Sequence, residues 1–194
     1  MKPRDRVLAA ASRLFYEEGI RAVGVERIAA EAKVSKMTLY RHFSTKDDLV
    51  VAVLEQRDEP ARRMLTHAAR TGKTSRERLL APFMMLERWF TSEGFRGCPF
   101  MNASLELADP AHPARAVADR HKRATRDEFE ALASAAGVPD PASLADQLGL
   151  LFDGAIAQAQ MRDPTQAARA ALAAAKALVD AAAKPARDEP RTRG

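Results

Sequence analysis

Apolar residues return every three or four positions along most of this chain, the spacing of helices that bury one face. Val25, Ile28, Ala29 and Ala32 put one apolar face on a helix of about two turns. Val34 plugs the turn that follows, and Ser35 supplies an N-cap hydroxyl for a second short helix running through Phe43, with Leu39 and Phe43 facing inward. Thr45 and Asp48 form a capping-box pattern, which starts a long helix at Lys46 that continues to about Arg70. Along it Leu49 and Val53 are read as buried and residues 56–58 as moving to an exposed course. Thr71, Gly72 and Lys73 break the pattern, and Ser75 restarts it. The next helix carries one apolar stripe of Leu79, Phe83, Leu86 and Phe90 and a second beside it from Met85 and Trp89. Gly94, Gly97 and Pro99 bend the chain into a helix with Asn102 and Glu106 on one face. After the turn at Asp109, Pro110, His112 and Pro113, another helix runs to near Gly137. The last two predicted helices carry Leu144, Leu148, Leu151, Phe152 and Ala155, then Ala168, Leu172, Ala175, Val179 and Ala182, separated by Asp163 and Pro164. Residues 184–194, with two prolines and no apolar stripe, are expected to be disordered.

The outward positions of the short helix after Ser35 hold Lys36, Met37, Thr38, Tyr40, Arg41 and His42, a set able to touch phosphates, base edges and thymine methyls. No acidic residue occurs from Lys33 through Lys46, and Lys46 opens a helix whose N-terminus attracts anions. Any one of these side chains also fits an ordinary solvated surface. Their spacing, caps, turn and sign of charge together point to DNA. A net charge of +5 over 194 residues agrees with a polyanion partner but is weak support alone. The 46% hydrophobic content is ample for a core, and no apolar run is long enough to span a bilayer, so a cytoplasmic protein is expected. A single cysteine excludes an internal disulfide framework and a multi-cysteine zinc site. No Ser/His/Asp set, metal-ligand spacing or phosphate-cradling glycine loop is present, so neither an enzyme nor a cofactor is expected.

The segment RVLAAASRLFYEEGIRAVGVERIAAEAKVSKMTLYRHFSTKDDLVVAVLE resembles the N-terminal domain of the TetR family of transcriptional regulators. The resemblance implies an all-α fold of about nine helices: a three-helix helix-turn-helix domain over residues 1–48 and a helical ligand-binding and dimerisation domain over residues 49–183. It implies a leading helix over residues 4–18, ended by Gly19, that braces the helix-turn-helix. Carried over by motif, Lys36, Thr38, Leu39, Tyr40 and His42 lie in or beside the major groove, with Lys46 on phosphate. Three positions depart from the family pattern. Gly24 lacks the usual N-cap hydroxyl, Lys33 takes a turn position that is often Gly, and Met37 replaces a small residue.

The same resemblance implies a twofold homodimer on a palindromic operator, a small-molecule effector and the last two helices at the subunit contact; the mostly apolar lining of the expected pocket suggests a hydrophobic or aromatic effector. Leu144, Leu148, Leu151, Ala155, Leu172, Ala175 and Val179 are the expected interface residues, the alternative being that these stripes are consumed within one subunit's core. Phe83, Met85, Leu86, Trp89, Phe100, Asn102, His121 and Phe152 are the expected effector-pocket residues, again with core packing as the alternative. Asn102 and Glu106 read first as a helix-linking hydrogen-bond pair and second as ligand anchors. Cys98 reads first as a small buried packing residue; beside Arg96 and a helix N-terminus it also fits a thiol that senses electrophiles.

Overall fold

The computed structural model describes residues 1–183, and the tail expected to be disordered lies outside them. Among the described residues every regular element is a helix. Three form the N-terminal head: α1 (Pro3–Glu18), α2 (Val25–Glu31) and α3 (Lys36–His42). Val7, Leu8, Ala11, Leu14 and Phe15 make the buried stripe of α1, and Gly19, at φ 95°, ends that helix in a conformation glycine adopts without strain. The α2–α3 turn places Lys33 at φ 53°, the left-handed conformation that its place in the motif demands. Ser35 Oγ accepts the Thr38 N–H at 3.1 Å, whereas Gly24 leaves α2 without a side-chain cap.

Helix α4 (Lys46–Arg70) begins with the complete Thr45/Asp48 capping box and joins the head to the rest of the chain. Its buried residues fall in two groups, Leu49, Val50, Val53 and Leu54, then Leu65 and Ala69. Between them lies Pro60, which has no N–H to give the carbonyl one turn earlier. Residues 56–58 do not all turn outward as the pattern suggests: Gln56 is exposed, but Arg57 and Asp58 are half-buried against neighbouring helices.

The segment after α4 starts at Thr74, whose side chain forms a capping box with Glu77. The single helix expected there divides at Met85 into α5 (Ser75–Met84) and α6 (Leu86–Phe90), one turn after Pro82, another residue unable to donate to the preceding turn. Four helices follow: α7 (Pro99–Glu106), α8 (Pro113–Ala135), α9 (Pro141–Met161) and α10 (Pro164–Ala182). Each opens with proline, pre-set for a first helical turn where an N–H has no partner to lose. Asp140 and Asp163 cap the last two.

Helices α8, α9 and α10 pack side by side, with α4 and α5 against them. At their centre Phe83, Phe129 and Phe152 sit with ring centroids 5.6–5.9 Å apart, two of the three contacts edge-on.

Candidate nucleic-acid interface and internal cavity

Helix α3 stands at the surface because Leu39, wholly buried, and Phe43 pin its inner side to α1. Arg4 lies over the Phe43 ring at 5.1 Å and closes that contact from outside. The opposite side presents Lys36, Met37, Tyr40, Arg41 and His42 to solvent, Met37 being 82% exposed, with Thr38 half-buried beside its cap. Leu39 is therefore a core residue and cannot touch a base edge, because it lies on the inner side of the helix with no exposed surface. Lys36 forms an ion pair with Glu26 of α2, and its charge lies 6.0 Å from the Tyr40 ring. That carboxylate holds the Lys36 ammonium above its ordinary range. Lys46 is more constrained than its position suggests. It is half-buried, donates from Nζ to the Ile20 carbonyl at 2.5 Å, and lies 5.9 Å from the Phe15 ring.

Below the head, a cavity of about 620 Å³ opens among α1, α4, α6, α7, α8 and α9. Met85, Trp89, Phe100, His121 and Phe152 of the expected pocket line it. Phe83 and Leu86 do not. They lie on the α5–α6 stripe that turns into the aromatic centre and are essentially fully buried there, while Met85 and Trp89, on the neighbouring stripe, face the void. Asn102 also stays outside the cavity: its Nδ2 donates to the Arg96 carbonyl at 2.7 Å and holds the loop that precedes α7. Gly97 in this loop adopts φ 80°, a left-handed backbone that favours glycine; a Cβ there would displace the end of the exposed Gln160 side chain.

The sequence pattern gave no notice of the wall that α1 and α4 contribute. Ser12 and Tyr16 of α1 and Arg57 of α4 line the cavity. Arg57 donates to Ser12 Oγ at 2.9 Å and to the Ser12 carbonyl at 2.7 Å, and its guanidinium stacks 4.8 Å over the Tyr16 ring. The Tyr16 hydroxyl donates to the Gly97 carbonyl and accepts the Arg96 N–H, both at 2.9 Å. Burial pushes this phenol above its ordinary range. A third tie runs from Glu106 at the end of α7, whose carboxylate accepts the Arg21 N–H at 2.9 Å. Glu106 is thus a helix-linking residue, but its partner is the head and not Asn102. The available signal was Arg57 itself, a charge placed on the face of α4 that Val50, Val53 and Leu54 make apolar.

Residues 7–53 match the family described as bacterial regulatory proteins, tetR family. The fold extends that likeness beyond the head. SCO4454, a TetR-family transcriptional regulator from Streptomyces coelicolor, superposes with a TM-score of 0.88 and 36% identity, over 94% of this chain and 96% of that one. The chain belongs to the TetR family of transcriptional regulators. Its α2–α3 pair is the helix-turn-helix of a DNA-binding regulator, and α4–α10 form the helical domain of that family. The HTH-type transcriptional regulator YjdC of Escherichia coli is 27% identical over 159 residues, 80% of this chain and 82% of that protein. The reduced form of E. coli NemR shares the TetR fold at a TM-score of 0.81 and 24% identity, covering 90% of this chain and 95% of that one.

In this TetR-family chain the stripes expected at a subunit contact are largely spent inside the protomer. Leu144, Leu148, Ala155, Ala175 and Val179 are buried, and Leu151 and Leu172 half-buried, because α9 and α10 must pack on α5 and α8 as well as on each other. The outward side of the α9–α10 pair is a groove whose lining includes Leu150, Gly154, Ala167 and Ala174 together with Leu151 and Ala155 of the expected set, with Leu150 77% exposed. Among the described residues no helix is long and apolar enough to cross a membrane.

His121 stacks on Phe100 with ring centroids 3.7 Å apart, and its Nδ1 lies 2.8 Å from Asp58 Oδ1. Burial lowers its pKa from the ordinary 6.5, and the Asp58 hydrogen bond opposes this less strongly. Between the lowered folded pKa and 6.5 the unfolded chain binds more protons, so stability rises with pH there. The contribution is complete above 6.5 and is lost as pH falls toward the folded value. Melting temperature is expected to drop on acidification through that window and to drop less in His121→Gln, which keeps a donor for Asp58 but cannot titrate. An equal drop in both proteins would assign the acid sensitivity to other groups.

Proposed function

We propose that this regulator is a dimeric repressor that occupies a palindromic operator through α3 and is released when a small hydrophobic or aromatic molecule enters the 620 Å³ cavity. The observation that carries this reading is the shared wall: Ser12 and Tyr16 of the DNA-binding head line the same void as Trp89, Phe100 and Phe152. A molecule filling that void acts on the head directly as well as through α4. Residues 1–48 form the reading domain and residues 49–183 the regulatory and dimerisation domain, with the cytoplasm as the place of action. Lys36, Met37, Thr38, Tyr40, Arg41 and His42 supply the DNA contacts, Lys46 adding positive potential from its partly buried site. The α9–α10 groove, with small residues that allow close helix approach, supplies the subunit contact. Two half-sites about 34–36 Å apart follow from twofold symmetry. An effector that weakens operator binding a hundredfold needs about 2.7 kcal/mol of coupling, and must bind the free protein a hundredfold better than the complex.

Capture of sheared genomic DNA by the full chain at near-physiological salt, followed by sequencing, tests the reading. Enrichment of one imperfect palindrome, released by compounds that occupy the cavity, is the expected result. Uniform retention that disappears as salt rises would reduce the interaction to phosphate electrostatics and overturn it.

A second reading is favoured by the position of Cys98, which lines the cavity next to Gly97, the residue that accepts the Tyr16 hydroxyl. The E. coli repressor NemR, 27% identical over 122 residues, has a crystal structure in a reduced form. In this reading an electrophile adds to Cys98 Sγ, and the adduct fills the cavity. Cys98→Ser is expected to abolish release by alkylating electrophiles; release that survives the substitution would leave the non-covalent reading alone.

A further inference from the structure

We infer that the cavity takes an organic monocarboxylate: an aromatic or aliphatic body lodged among Met64, Trp89, Phe95, Phe100 and Phe152, with its acid group on Arg57. This deepens the proposed effector site and rests on the cavity being that site. Lys122 is paired with Asp153 at 2.5 Å, and Asp58, the partner of His121, also holds Arg62 at 3.1 Å. Arg57 has no carboxylate within ion-pair distance among the described residues. Among the described residues its hydrogen-bond partners are both atoms of neutral Ser12, reached from Nε and Nη2. Glu93, the acidic member of the cavity lining, is exposed.

A guanidinium remains charged under all ordinary conditions, and taking it partly out of water without a counter-charge is costly. Burial pushes Arg57 below its ordinary range, with only Tyr16 acting against it. Carboxylate oxygens would meet the planar fork in paired charge-assisted hydrogen bonds, the geometry arginine favours. The remaining wall supplies apolar and aromatic surface, and about 620 Å³ is an ordinary size for a small-molecule site. An amide or ester of the same shape would fill that surface and leave the cation without a counter-ion. Because Arg57 spends Nε and Nη2 on Ser12 of α1, an acid drawing the guanidinium toward the void also competes for the bonds that hold the head.

The test is calorimetric titration of the full chain with 2-naphthoate, 4-phenylbutyrate and decanoate, each compared with its primary amide. Trp89, the sole tryptophan, gives an independent emission signal from the cavity wall for the two non-naphthyl pairs. At least one acid is expected to bind ten times or more tighter than its amide, with a change in Trp89 emission. That preference should fall below threefold in Arg57→Gln and survive in part in Arg57→Lys, which keeps the charge without the fork. Absence of an acid preference in all three pairs overturns the inference, and so does a preference undiminished in folded Arg57→Gln. The wild-type comparison alone suffices should Arg57→Gln fail to fold. Operator release is measured separately. An inducible operator complex without acid preference removes this inference and leaves the proposed function; acid preference at Arg57 without effect on operator binding does the reverse.

Discussion

Replacing Leu39 by Ala is expected to abolish operator binding by unfolding the head, whereas Tyr40→Ala should abolish it in a protein that melts as the wild type does. The two residues are neighbours on α3 but occupy opposite environments. Leu39 is wholly buried and Tyr40 is 40% exposed. Removing a buried leucine side chain costs about 2–5 kcal/mol, from lost transfer energy and the cavity left behind. The head has little to offset that loss, since α2 and α3 have seven residues each and isolated helices of that length are unstable without packing. Tyr40 contributes ring surface and a hydroxyl to the outward face, beside Lys36 and Met37, so its truncation removes contacts and little stability. Thermal melting and operator titration on both variants separate the outcomes. A Leu39→Ala protein with unchanged melting and lost binding would return Leu39 to the DNA face.

The second large effect is expected at Tyr16. Its hydroxyl makes two hydrogen bonds to the loop that opens α7, and its ring carries Arg57. Tyr16→Phe keeps the ring and removes both bonds, each worth about 1 kcal/mol net. If these bonds transmit cavity occupancy to α1, their loss removes roughly 2 kcal/mol of the coupling. The ratio of operator affinities without and with effector is then expected to fall by about tenfold or more. Glu106→Gln, which weakens the parallel tie to the Arg21 N–H, is expected to act in the same direction with a smaller effect. An unchanged ratio in Tyr16→Phe would leave α4 as the route between the sites.

Local chemistry explains why the head was legible before its structure. Ser35, Thr45, Asp48 and Gly19 act within one helical turn of their own positions, and the structure places each at the end its side chain or φ requires. The cavity was legible only in part, because a helical repeat identifies apolar stripes without naming what each one faces. Leu79, Phe83, Leu86 and Phe90 went to the core, and Met85 and Trp89, one stripe away, to the void.

Caps, turns and the 3.6-residue period are encoded within a few residues of one another, and for that reason the helical class, the head and the outward set on α3 could be read from the chain before it folded. Long-range packing brings Arg57 to Ser12, carries Tyr16 to Gly97 across 81 residues, and spends Leu144, Leu148, Ala175 and Val179 within the protomer. Those outcomes depend on how α4, α8, α9 and α10 rotate about their axes to fill one interior, a packing solution shared by distant segments that no local pattern contains.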